Sequence, residues 1–252
     1  CWFFFKWGIA AAIVAVLVGF WYFRDTLNDE IRAKVEMTLA ERYPQLDVRL
    51  QSAERIEGEG IVLRGLSLSE RGASGPVAEL AHIEEVFLDC RADLHDLVSG
   101  NIDVRRVTVR RPTLRATRRR DGRWSIQKLF IEQPASRSGR DISIENATVV
   151  IFDPLKYPSS TFTLREVNLS ITPQAAAADS AEMWNRVEGS LSGELLGRIE
   201  VQGGFEPKLQ RWRLGGRVGG LVISPDLTQS LPVPVSQWLE PLQSVRATAS
   251  IN

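Results

Sequence analysis

Ile61-Val62-Leu63-Arg64-Gly65-Leu66-Ser67-Leu68 decides the fold of this chain. Apolar residues stand at its first, third, sixth and eighth places, and a polar-Gly pair separates the two halves. The arrangement recurs as Ala81, Ile83, Val86, Leu88; as Ile102, Val104, Val107, Val109; and as Trp124, Ile126, Leu129, Ile131. Two further copies are Ile142, Ile144, Ala147, Val149 and Phe162, Leu164, Val167, Leu169. The central pair is polar or Gly every time: Arg64-Gly65, Glu84-Glu85, Arg105-Arg106, Gln127-Lys128, Glu145-Asn146 and Arg165-Glu166.

Alternation of apolar and polar residues keeps one face of a strand apolar. A two-residue gap moves the second half to the opposite face unless the backbone breaks there. A β-bulge at each gap restores the face and bends the strand, so a row of such strands makes a curved sheet with one apolar side. Without the break, the two halves serve opposite faces of an ordinary sandwich. The Trp124–Ile131 copy fits a short helix as well as a strand, because it follows a turn at Asp121-Gly122.

Working outward, Trp2 to Phe23 is apolar except for Lys6. At 1.5 Å per residue this run spans roughly 33 Å, enough to cross a bilayer. Trp2, Phe3 to Phe5 and Trp7 lie at one end; Trp21, Tyr22 and Phe23 lie at the other, as in an aromatic belt. A cleaved signal peptide is the competing reading, but Gly19-Phe20-Trp21-Tyr22 offers no small-x-small cleavage site. Residues 1–24 are therefore read as a single-pass anchor. Residues 25–44 follow as an amphipathic helix that caps the β body. Thr26 with Asp29 fits a capping box, Leu27, Ile31, Val35 and Leu39 make one stripe, and Pro44 stops it.

Residues 45–172 carry the β repeats, broken by a short helix at Asp93 to Val98 that ends at Ser99-Gly100. Residues 173–185 are an Ala-rich linker. Residues 186–252 read as a Gly-rich β continuation, with a turn at Glu206-Pro207-Lys208 and a helical stretch after Ser224-Pro225-Asp226. Arg246 to Asn252 reads as a strand cut in its middle, and Cys1 stands where Met would, so the chain is read as part of a longer protein.

Composition narrows the function. The 252 residues carry 31 basic and 31 acidic side chains, so no global charge draws the chain to nucleic acid. Two cysteines, Cys1 and Cys90, exclude a disulfide scaffold. Cys90 reads as a buried thiol. His82 and His95 lack metal-ligand spacing, no Gly-Lys-Ser/Thr phosphate loop exists, and Gly189-Ser190-Leu191-Ser192-Gly193 misplaces its serine for a nucleophile elbow. No enzyme, metal or cofactor is expected. The one strong charge feature is the run of Arg105, Arg106, Arg110, Arg111, Arg115, Arg118, Arg119, Arg120 and Arg123. It reads either as a solvated outer face or as a contact for anionic lipid headgroups.

The segment Leu94 to Leu114, with Gly100 ending a helix and Pro112 between strands, resembles a segment of AsmA-like proteins. The Asp121-Gly122-Arg123-Trp124 turn and the hairpin Ile142 to Asp153 with Phe162 to Pro173 are similar to their next units. The likeness is to the N-terminal part of an AsmA- or TamB-like, bridge-like lipid-transfer protein, and it is poorest after about Ala175. It implies a mainly β fold in which the anchor and amphipathic helix lead into a curved, taco-like antiparallel β-groove with a few short helices.

The implied place is the bacterial inner membrane, single-pass, with the body in the periplasm. The implied ligand is phospholipid, carried toward the outer membrane. The alternative is a non-transporting envelope scaffold or outer-membrane assembly factor with a closed β core. Expected groove-lining residues are Ile61, Leu63, Leu66, Leu68, Ile83, Val86, Leu88, Ile102, Val104, Val107, Val109, Ile142, Ile144, Val149, Leu164, Val167 and Leu169. Candidate headgroup contacts are Arg105, Arg106, Arg110 and Arg111. The membrane is an expected partner and nucleic acid is not; envelope proteins or a second copy of the chain remain open.

Overall fold

The computed structural model describes residues 28–73, 78–90, 104–129, 140–157, 159–174, 184–193, 197–206, 211–222 and 248–251. Expectations for the anchor Trp2–Phe23, Ile102, the helix Asp93–Val98, the interior of the Ala-rich linker and the stretch after Ser224 fall outside these residues. Among the described residues, no helix is long and apolar enough to cross a membrane.

The chain forms one open sheet of ten strands in sequence order. They are β1 (Leu46–Ile56), β2 (Gly60–Glu70), β3 (Glu79–Cys90), β4 (Val104–Thr117), β5 (Asp141–Asp153), β6 (Ser160–Pro173), β7 (Asn185–Gly193), β8 (Ile199–Glu206), β9 (Arg211–Val222) and β10 (Thr248–Ile251). Apart from β4 with a short 3-10 helix at Ser125–Leu129, the closely packed element pairs are sheet neighbours. The described residues therefore form one sheet layer, and the sandwich alternative does not describe them.

One junction departs from the expected all-antiparallel order: β4 and β5 run parallel. The cause lies at Trp124. The described part of that copy, Trp124 to Leu129, is not a strand; Trp124 makes only an isolated bridge to Arg118 around the turn at Gly122, and the 3-10 helix follows. Ser125 holds this turn to the end of β4, its Oγ accepting the Thr117 N–H at 3.0 Å and donating to the Arg115 carbonyl at 3.3 Å. Removing one strand from an alternating series leaves its neighbours parallel. A parallel pair requires β5 to start at the same end of the sheet as β4.

Four strands, β2, β4, β5 and β6, break their backbone at such a gap, whereas Glu84-Glu85 of β3 has no left-handed residue. Gly65, Arg111, Asn146 and Glu166 have φ of 64°, 48°, 55° and 51°. Three of these are the second residue of a gap pair read from sequence. In β4 the left-handed residue is Arg111, so the break sits at Arg110-Arg111 and the unit there is Val107, Val109, Pro112, Leu114. The earlier gap, Arg105-Arg106, is a separate irregularity where the register shifts against Asp89 and Cys90.

Between β2, β3 and β4 the breaks are not the expected bulges, in which two residues oppose one. The register passes through unchanged: Leu63, Val86 and Val109 align on one side of the break, and Leu66, Ile83 and Pro112 on the other. β2 and β4 break at Gly65 and Arg111, which lie opposite Glu84 of β3, and pairing lapses along that line while Glu84 keeps negative φ; the line is a crease across the sheet. At β5 and β6 the crease steps by one apolar position, with register shifts on both sides of Ala147.

A helix, α1 (residues 28–42), precedes the sheet and covers its start. Ile31, Val35, Leu39 and Tyr43 pack on a core of Leu46, Leu50, Ala53, Ile61, Leu63, Leu66, Leu68, Leu80, Ala81 and Val86. Both halves of the β2 unit join this one cluster, so the crease does restore the face. Glu36 of α1 also accepts the Leu50 backbone N–H at 2.7 Å, occupying one donor of edge strand β1.

Candidate functional site

The apolar positions line up as columns across the sheet. One runs Ala53, Leu63, Val86, Val109, Ile144, Leu169, Gly189, Val201, Gly216, crossing β1 to β9 without interruption. At about 4.8 Å per strand it is roughly 38 Å long. Parallel columns place Leu68, Ala81, Leu114, Val149 and Leu164 together, and Ile61, Leu88, Val107, Ile142, Ile171 and Val187 together.

The predicted lining residues divide by burial along this face. Ile61, Leu63, Leu66, Leu68 and Val86 lie beneath α1 and are no more than 9% exposed. Ile83, Leu88, Val104 and Val107 are half-buried at the margin of the same core. Further along, Val109, Ile142, Ile144, Val149, Leu164 and Leu169 are half-buried, while Val167 is buried. The sequence reading missed β1, whose Val48, Leu50 and Ala53 carry the same spacing across Gln51-Ser52, and it missed Pro112, Leu114, Ile171, Val187 and Val201. Glycine replaces side chains in the far columns. At Gly189 a Cβ would fall 2.1 Å from the Asn168 carbonyl oxygen, so β6 and β7 approach too closely there for any other residue.

The opposite face is polar and cross-linked. Arg64 pairs with Glu54 (3.0 Å) and Glu85 (3.7 Å), and Arg110 pairs with Glu85 (2.7 Å) and Glu145 (3.2 Å). Five residues from five adjacent strands thus form a charge ladder along the crease. Glu85, then Glu145, raises the Arg110 pKa above its ordinary value by hydrogen bonding. Of the candidate headgroup residues, Arg106 pairs with Asp141 at 3.4 Å, Arg111 pairs with Glu84, and Arg110 belongs to the ladder. Arg105 alone of the four is exposed with no ion pair among the described residues.

A concavity of about 770 Å³ also opens along β5 to β9. Each strand supplies consecutive residues to it, such as Ser143-Ile144-Glu145 and Glu200-Val201-Gln202. Its lining joins Ile144, Leu169, Gly189, Val201 and Gly216 of the long column with Ser, Asn, Gln, Glu and Arg residues that flank them on each strand.

Cys90 is 2% exposed, and burial, with Asp89 adding, pushes its thiol pKa up, away from the reactive thiolate. His82 Nδ1 lies 3.5 Å from Glu79. Among the described residues no group of three His, Cys, Asp or Glu could hold a metal.

Fold and site together define a single-layer, creased β-sheet with one apolar and one ion-paired face, closed at its start by a helix. No family model matches the chain, and no curated protein does.

Proposed function

We propose that the apolar face is a track for phospholipid acyl chains, held beside the bacterial inner membrane by Trp2–Phe23 with the body in the periplasm. The observation that carries this reading is the apolar column that continues past α1, from Val109 through Ile144 and Leu169 to Val201, with no second layer over it among the described residues. The AsmA- and TamB-like resemblance supplies the direction, toward the outer membrane, and the taco-like curl. On this reading the track begins beyond α1, at Val109, Ile144 and Val149. Residues beneath α1 serve as a plug of ordinary core.

A second reading draws on the plug itself. If the core under α1 is representative of the whole, the protein is a closed-core envelope scaffold or assembly factor that carries nothing. One paired experiment separates the two. A carboxylate on hydrocarbon costs several kcal/mol when unpaired. On an open track, Val149→Asp blocks transport while protein level stays normal, because the charge is solvated when the track is empty. In a scaffold the same change lowers abundance. Leu66→Asp, in the core, lowers abundance in both cases and serves as the control. Normal abundance with full complementation by Val149→Asp would remove the conduit reading.

A further inference from the structure

A second cavity, of about 620 Å³, lies where the end of α1 meets the segment after β4. Apolar residues along it are Tyr43, Pro44 and Trp124; Leu46, 1% exposed, lies behind them in the core. Its cations are Arg42, Arg119, Arg123 and Lys128. Arg119 and Lys128 are both fixed by a single carboxylate, Glu70, each at 2.5 Å. Arg42 and Arg123 are exposed, and neither side chain has an ion pair or hydrogen bond among the described residues. Glu41 and Asp121 also line the cavity, but one oxygen of Asp121 already accepts the Arg123 N–H at 3.0 Å, which sets the loop.

We infer that this cavity binds a phosphate ester. Two guanidiniums without partners and two anchored cations surround a space in the size range of small-molecule sites. Guanidinium forks match phosphate oxygens in pairs, and such charge-assisted bonds are the strong ones. The apolar patch of Tyr43, Pro44 and Trp124 receives the carbon skeleton of the ester. The ester is either a lipid headgroup or a soluble phosphate. In the first case the cavity deepens the lipid-track reading, because it sits beside the helix that plugs the start of the apolar face.

The test uses the full chain in a phosphate-free maltoside detergent. Calorimetric titrations are run with sn-glycerol 3-phosphate, with dihexanoylphosphatidylglycerol below its micelle concentration, and with dihexanoylglycerol. Saturable binding of a phosphate-bearing probe is expected, weakened roughly tenfold or more in Arg42→Ala/Arg123→Ala and largely kept in Arg123→Lys. Binding of only the phospholipid identifies a lipid headgroup; binding of both phosphate probes identifies any phosphate ester. Equal binding of dihexanoylglycerol, no binding of either phosphate probe, or affinity unchanged in the double variant overturns the proposal. Because both arginines are exposed and unpaired, loss of fold is not expected, and thermal melting of each variant verifies it. Lipid capture on the apolar face at Leu164 is scored separately, so failure of the pocket and failure of the track are distinguishable.

Discussion

The side chain of Asn168 holds the backbone of Asn146. Its Oδ1 accepts the Asn146 N–H at 2.9 Å, and its Nδ2 donates to the Glu166 carbonyl at 2.8 Å. One amide therefore secures two left-handed residues, on β5 and β6, where the crease steps sideways. Left-handed backbone costs about 1–2 kcal/mol per non-Gly residue. Asn tolerates it better than most, whereas Glu at this position is unusual. The crease is thus a strained line held by specific hydrogen bonds and by the charge ladder on the polar face.

Asn168→Ala removes both bonds and should lower stability by about 1–2 kcal/mol in a denaturant melt. Asn168→Asp keeps the acceptor but loses the donor to Glu166, so it should fall between wild type and Ala. Wild-type stability in Asn168→Ala would mean the amide does not hold the crease.

Glu166→Gly should be neutral or stabilising, by up to about 1 kcal/mol, because glycine reaches φ near 51° without steric cost and loses some of that gain to chain entropy. Glu166→Val should destabilise. At Gly65 the sign reverses: φ is 64°, and an added Cβ would meet Gln51 Cβ at 2.7 Å, so Gly65→Ala should lower the melting temperature. Thermal melts of these three variants read the strain along the crease directly.

Glu70 sets a pH dependence. Its hydrogen bond from Lys128, with Arg119 adding, holds its pKa below the ordinary value of 4.5, against the opposing effect of burial. A carboxylate depressed in the folded state contributes its stability above the unfolded pKa and loses it as pH falls through the folded one. The Glu70 contribution should therefore be complete above pH 4.5 and fade below it. Chemical denaturation from pH 7 to pH 3 should show a smaller acid loss in Glu70→Gln than in wild type. Parallel pH curves would exclude a role for this group.

Much of this architecture was legible because period-2 patterning survives in one dimension. The gap pairs Arg64-Gly65, Glu145-Asn146 and Arg165-Glu166 marked the crease, since only a backbone break keeps both halves of a unit on one face. Trp124–Ile131 stayed open between strand and short helix because its apolar spacing fits two periods; Ser125 and the core contact of Leu129 decide for the helix at Ser125–Leu129, and with it the parallel junction. The β4 break was misplaced because Pro112 stands where an aliphatic residue was expected. The candidate headgroup arginines could not be sorted in one dimension. Their carboxylate partners, Glu84, Glu85, Asp141 and Glu145, come from neighbouring strands, and the sequence does not say which strands are neighbours.

The central claim is that acyl chains ride on the apolar columns beyond α1. Site-specific photo-crosslinkers at Ile144, Leu164 and Leu169, compared in cells with Ser143, Arg165 and Ser170 on the opposite face, test it most directly. The account predicts phospholipid adducts at the first three and none at the second three, with Leu63, buried under α1, silent as well. Equal capture on the two faces, or capture on neither, would contradict it.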